Sequence, residues 1–190
     1  MSHYLAIELH METKEQIENL LKSRLTGNVI EEVNLFNVNT QQYDIKDCDR
    51  QVVDGGIEIR LGNNEYFCFG WDSKYDFHNI AFAGFETLFT GEEPQKLETK
   101  NDYFWKNIIR QRIENINIQW SVFEVEENQQ LHIPDYIEFQ LSFNNRFLVG
   151  SMDFEEKEDE LINFRFSLEG WITIFFDNLE IDRLLRENAR

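Results

Sequence analysis

The sequence predicts an α+β fold: mostly antiparallel sheet with helices on one face, and an internal duplication of a helix–strand–hairpin unit. Three observations carry this. Ile57-Glu58-Ile59-Arg60-Leu61 and Ile137-Glu138-Phe139-Gln140-Leu141 alternate apolar and polar residues, which is strand periodicity. Each string is followed by Asn-rich turn chemistry and a Phe-rich return segment, the pattern of a hairpin. Each is also preceded by an apolar stripe at helical spacing.

The elements follow in order. Residues 4 to 9 read as a short first strand. Thr13 with Gln16 three residues on is a capping-box pattern, and Ile17, Leu20, Leu21 and Leu25 follow at helical spacing. Gly27 is placed to end that helix. A strand is expected at Val33 to Val38, then an acidic connection from Asn39 to Arg50. Ile57 to Leu61 and Tyr66 to Trp71 form the first hairpin around Gly62-Asn63-Asn64. Asn79 to Phe82 adds a short strand, and Phe85 to Phe89 one turn of helix.

The second half restarts with a helix capped by Asn101 or Asp102, with Phe104, Ile108, Ile109 and Ile113 as its buried stripe. Ile116 to Val122 reads as a strand. Ile137, Phe139, Leu141 and Phe143 alternate, and Phe147 to Gly150 returns. Strands near Asn163 to Ser167 and Trp171 to Phe176 precede a last helix capped by Asp177, with Ile181, Leu184 and Leu185 on its apolar face.

The duplication is read from paired strings. Ile57 to Leu61 matches Ile137 to Leu141, and without a gap Asn64 meets Asn144, Phe67 meets Phe147 and Gly70 meets Gly150. Asn19-Leu20-Leu21-Lys22 faces Asn107-Ile108-Ile109-Arg110, and Phe36-Asn37-Val38 faces Phe123-Glu124-Val125. The chain therefore reads as a single domain over residues 1–190, with two pseudo-symmetric halves of about 1–92 and 93–190.

Composition narrows the function classes. The 190 residues are 42% hydrophobic and include 17 Phe, enough for a packed core. The net charge is -18, from 36 acidic and 18 basic residues. Nucleic acid and anionic membrane would repel such a surface, whereas a basic protein would be steered toward it. The N-terminus has no basic segment followed by a long apolar one, and two cysteines make no disulfide framework. A cytoplasmic location is the expectation.

Motifs for chemistry are missing. His3, His10, His78 and His132 show no metal-ligand spacing, and Asp44, Asp47 and Asp49 lack the order of an EF-hand loop. Asp54-Gly55-Gly56 is followed by no Lys-Ser/Thr and reads as a turn. Cys68 lies in an apolar run, and Cys48 sits between two aspartates that disfavour a thiolate. No catalytic residue, metal ligand or cofactor is assigned.

Binding candidates stand out instead. Trp105 and Trp120 read as core, while Trp71 and Trp171 lie at strand ends, where an aromatic can anchor a partner. Acidic residues collect at strand ends and loops: Glu124, Glu126 and Glu127, then Asp153, Glu155, Glu156, Glu158, Asp159 and Glu160.

In size, pI near 4.5, aromatic strands such as Phe67-Cys68-Phe69-Gly70-Trp71-Asp72 and lack of a catalytic motif, the chain resembles small acidic bacterial immunity proteins. That resemblance implies a non-enzymatic inhibitor that binds a basic protein partner such as a toxin domain, with no functional residue carried over. The alternative is an enzyme or small-molecule-binding protein with a cleft between the halves. A nucleic-acid mimic is a third reading, resting on charge alone.

Overall fold

The computed structural model describes residues 5–6, 13–38, 50–74, 77–89, 93–100, 102–126, 129–155, 163–167 and 170–187. The first half holds β1 (Leu5–Ala6), α1 (Lys14–Leu25), β2 (Ile30–Asn37), β3 (Arg50–Val53), β4 (Gly56–Leu61), β5 (Tyr66–Asp72), β6 (Phe77–Phe82) and a 3-10 turn at Phe85–Thr87. The second holds β7 (Gln95–Glu98), α2 (Tyr103–Ile108), β8 (Ile113–Glu126), β9 (Gln129–Leu141), a 3-10 turn at Ser142–Asn144, β10 (Arg146–Glu155), β11 (Asn163–Phe166), β12 (Trp171–Phe175) and α3 (Asn178–Glu187).

These strands make an α+β protein with two antiparallel sheets. The first runs β1-β6-β5-β4-β2-β7 and the second β3-β12-β10-β9-β8, with β11 paired to β10. β3 comes from the first half but closes the edge of the second sheet, and β7 does the reverse. The halves are thereby tied together, and a boundary near residue 92 separates no independent folding units.

The orders β6-β5-β4-β2 and β12-β10-β9-β8 follow the same path through the chain. Registers agree as well. Val33 pairs with Ile59 and Leu35 with Ile57; Ile116 pairs with Phe139 and Ile118 with Ile137. A register shift follows Ile30 in one pair and Ile113 in the other. Both hairpins close alike: Leu61 N–H donates to Glu65 and Leu141 N–H to Asn145, each at 2.8 Å. Asn64 and Asn144, at φ 62° and 60°, take the left-handed position that Asn tolerates.

The correspondence ahead of the hairpins differs from the strings paired by sequence. Asn28 N–H donates to Leu25 and Gln111 N–H to Ile108, and left-handed Gly27 corresponds to left-handed Arg110. Leu25 therefore answers to Ile108, rather than Leu20 to Ile108. The helix strings are displaced by five residues and the strand strings by four; a strand matches itself at any even shift, so alternation alone does not hold the register.

α1 begins as its capping box specifies. The Thr13 hydroxyl accepts from Gln16 N–H while the Gln16 side chain accepts from Thr13 N–H at 2.7 Å. Thr13→Ala removes one of these bonds and should lower stability by about 0.5–2 kcal/mol, read by urea denaturation. α2 is shorter than its apolar stripe predicts. It stops at Ile108, and Ile113 opens β8, because Val29 and Arg112 form a bridge that draws the chain into strand. Phe143 is also corrected. It leaves the alternation at φ 63° and stands 88% exposed.

The two sheets face each other across one core. Ile57, Ile59, Leu61, Ile137, Phe139 and Leu141 are all buried, as strand alternation requires. Phe67 of the first sheet meets Phe139 of the second edge-on at 5.8 Å, and Ile17, Leu21, Leu25, Trp105 and Ile108 of α1 and α2 join the same cluster. α3 lies elsewhere. Its Ile181 and Leu184 cover Leu148, Met152 and Phe175 on the outer face of the second sheet. The helices are thus spread over more than the one face expected from sequence.

The outer face of the first sheet has a smaller cover. After β6, where the second half places α3 after β12, the described residues form the 3-10 turn. Its Phe85, with Leu88, packs on Phe36, Cys68 and Ala81. Gly56 and Gly70, paired across β4 and β5, make room for it: a Cβ on either would come within 2.8 Å and 2.7 Å of the Phe85 ring.

Candidate functional site

The residues singled out from sequence gather at one end of the molecule where they can be placed. β8 and β10 both run antiparallel to β9, with Gln119 opposite Tyr136 and Tyr136 opposite Gly150. Glu124, Glu126, Asp153 and Glu155 therefore extend from the same end of the second sheet, and Asp153 is exposed. Trp171 pairs with Met152 at this end. Trp71 joins it through His78: the Trp71 and His78 rings meet at 5.4 Å, and His78 Nδ1 lies 2.9 Å from Ser151 Oγ. Both tryptophans are half-buried, while Trp105 and Trp120 are buried. Glu127, Glu156, Glu158, Asp159 and Glu160 lie outside the described residues, as do His3, His10, Cys48 and the acidic loop with Asp44, Asp47 and Asp49.

The His78–Ser151 contact reads as a structural tie between the sheets. The Ser151 hydroxyl donates to the Ser167 carbonyl, so its proton is committed and Nδ1 of His78 is the donor in the 2.9 Å contact. Both residues are almost completely buried. Cys68 is buried too, and desolvation first, then the charges of Glu58 and Glu86, push its thiol well above the usual range. Among the described residues no group of three or more His, Cys, Asp or Glu could hold a metal ion, and no helix is long and apolar enough to cross a membrane.

The outer face of the first sheet holds a second arrangement that the sequence reading missed. A cavity of about 770 Å³ opens there, walled by Phe36, Tyr66 and Phe82 and carrying Arg24, Glu58, Glu65, Glu86 and Lys96. Arg24 is already engaged. It grips Glu65 at 2.6 and 3.2 Å and lies 4.0 Å over the Phe82 ring. The hydrogen bond from Arg24 holds the Glu65 carboxyl below its usual range, against a smaller opposing effect of burial.

Beside it, a cleft of about 610 Å³ gathers cations: Arg60, Lys96, Lys100, Lys106 and Arg110, with Glu31 and Glu32. Burial pulls Glu32 upward, but hydrogen bonds from Arg60 and Asn34 and the charges of Lys96 and Arg60 outweigh it and hold the carboxyl low. In a chain of net charge -18 this is a local reversal of sign, and it leaves the acidic strand ends as a separate surface.

Glu58 is the least exposed acid of the larger cavity, 7% exposed. One oxygen accepts from Asn34 Nδ2 and the other from Phe85 N–H, each at 3.0 Å. A signal for it was present in the sequence. Glu58 meets Glu138 within the two similar alternating strings, at an outward-facing position of each. The chain matches no family model, no curated protein and no solved structure.

Proposed function

We propose that this chain is a non-enzymatic acidic binding protein of the immunity or inhibitor kind, which engages a basic protein partner. One observation carries the reading: acidic strand ends and two half-buried tryptophans share one end of the molecule. Opposite potentials speed encounter and orient it, while exposed ion pairs add only about 0–1 kcal/mol each. Affinity then has to come from a small aromatic centre, for which Trp71 and Trp171 offer partly open rings beside the acids. The remaining acids of the 153–160 run extend the same patch in sequence. The matching strand order and register of the two sheets are what an internal duplication would leave.

The alternative, a catalytic or small-molecule cleft between the halves, has less support. Where the described residues of the two sheets meet, they meet as close-packed rings such as Phe67 and Phe139.

The test uses immobilised protein and its native lysate. A basic protein should be retained, and its association should slow as salt rises. Neutralising Asp153, Glu155, Glu156, Glu158, Asp159 and Glu160 together should chiefly lower the association rate. Trp71→Ala or Trp171→Ala should chiefly raise the dissociation rate. Retention of a small molecule, or turnover of a substrate, in place of a basic protein would overturn the proposal.

A further inference from the structure

The two sheets carry the same Asn–Glu pair on their outer faces, each around a buried carboxylate. In the second, Asn117 Nδ2 donates to Glu138 at 2.8 Å; in the first, Asn34 Nδ2 donates to Glu58 at 3.0 Å. Both carboxylates are nine-tenths or more buried. Both stand on equivalent strands in equivalent registers, with Asn117 opposite Glu138 and Asn34 opposite Glu58.

Their surroundings differ in charge. Glu138 receives a guanidinium, since Arg146 donates to it at 3.0 Å. That Arg is itself held by α3, donating to the Asn178 side chain at 2.9 Å, to the Asn178 carbonyl at 2.6 Å and to Asp182 at 2.5 Å. Arg146 pairs with Gln140 at the second hairpin, and the residue paired with Arg60 at the same place in the first hairpin is Tyr66. Glu58 consequently has two neutral donors, Asn34 and Phe85, in the contacts described for it. A buried carboxylate is costly without a compensating cation. The cations that line its cavity are committed to other acids, Arg24 to Glu65 and Lys96 to Glu32 at 3.9 Å.

Among the described residues the cover is smaller here, and space lies in the same place. α3 closes the outer face of the second sheet over Glu138 and Arg146, whereas the three-residue turn of the first half leaves the 770 Å³ cavity beside Glu58. Its walls suit a planar cation. Phe36, Tyr66 and Phe82 line it, and a guanidinium, that of Arg24, already lies 4.0 Å over the Phe82 ring at its margin. Glu86 adds a second carboxylate.

We propose that the cavity on the outer face of the first sheet binds a guanidinium group at Glu58, in the place that Arg146 fills beside Glu138. The group is recognised by charge and by its planar fork, whether an arginine side chain of a peptide or a free guanidino compound carries it. This site lies on a different surface from the acidic end, and it stands or fails without the partner reading above.

Calorimetric and NMR titration of the full chain with N-acetyl-L-arginine amide tests it, with the uncharged N-acetyl-L-citrulline amide as control. Saturable binding at millimolar concentration is expected for the arginine compound, weaker by about tenfold or more for citrulline. Free L-arginine forms the second arm. Equal or tighter binding of it points to a small guanidino compound, and weaker binding to a peptide side chain. Glu58→Gln should weaken binding of the arginine compound by about tenfold or more. Tyr66→Arg supplies the guanidinium from within the chain. It should abolish binding and raise the melting temperature, and it decides the matter if Glu58→Gln does not fold. Absence of saturable binding, citrulline binding equal to arginine, or a folded Tyr66→Arg that still binds would overturn the proposal.

Discussion

Phe139→Ala should lower stability by about 3–5 kcal/mol. Phe139 is fully buried. Its ring stacks on Phe147 at 4.5 Å with 1° between planes, and its edge meets Phe67 of the facing sheet at 5.8 Å. Removing it opens a cavity bounded by two sheets whose backbones are fixed by their ladders. The site cannot collapse to fill the space, so the cost of lost transfer and the cost of the void add. For a chain of this length the melting temperature should drop by on the order of 10 °C. Phe143→Ala is the internal control. That residue, two turns of alternation further on, is 88% exposed, and its truncation should stay within about 0.5 kcal/mol of neutral. Equal effects for the two variants in urea denaturation would show that the core between the sheets is misplaced.

Arg146→Met should be the next most severe. Arg146 is the cation of Glu138, a carboxylate 4% exposed, and it also joins β10 to α3 through Asn178 and Asp182. Methionine keeps the apolar stem but leaves Glu138 with the Asn117 amide. Breaking a buried pair from one side costs roughly 3–5 kcal/mol, and the 19% exposure of the Arg146 side chain places this case toward the lower end. Glu138→Gln in the same background should recover much of the loss, because a neutral amide needs no cation. Thermal unfolding of the single and double variants separates the two contributions. A double variant as unstable as the single one would mean that the link to α3, not the charge of Glu138, is what Arg146 supplies.

Local chemistry explains why much of the fold was legible. The Thr13 capping box, the Asp102 cap and the two alternating strings each depend on residues within a few positions, and the structure realises them all. The hairpin turns were likewise readable, because Asn64 and Asn144 supply a backbone position that most residues resist. β3 and β7 were not readable. Both are four-residue edge strands, and each is a strand only because a sheet from the other half offers it an edge. The end of α2 failed for the same reason, since the bridge between Val29 and Arg112 couples segments far apart in the chain.

The sequence by itself determined the class, α+β and mainly antiparallel, the positions of its principal strands, and the strongly acidic character that any partner must answer. It also placed Glu58 and Glu138 at matching positions of two similar strings. Only the tertiary structure decided how differently those two carboxylates are treated. Whether an outward strand residue is buried depends on what packs over the sheet, and that cover arrives from elements distant in sequence. α3 brings Asn178 and Asp182 to hold Arg146 against Glu138, while the 3-10 turn at Phe85 covers less and leaves Glu58 beside an open cavity. Strand periodicity records the direction of a side chain, but burial and charge balance are set by its neighbours across space.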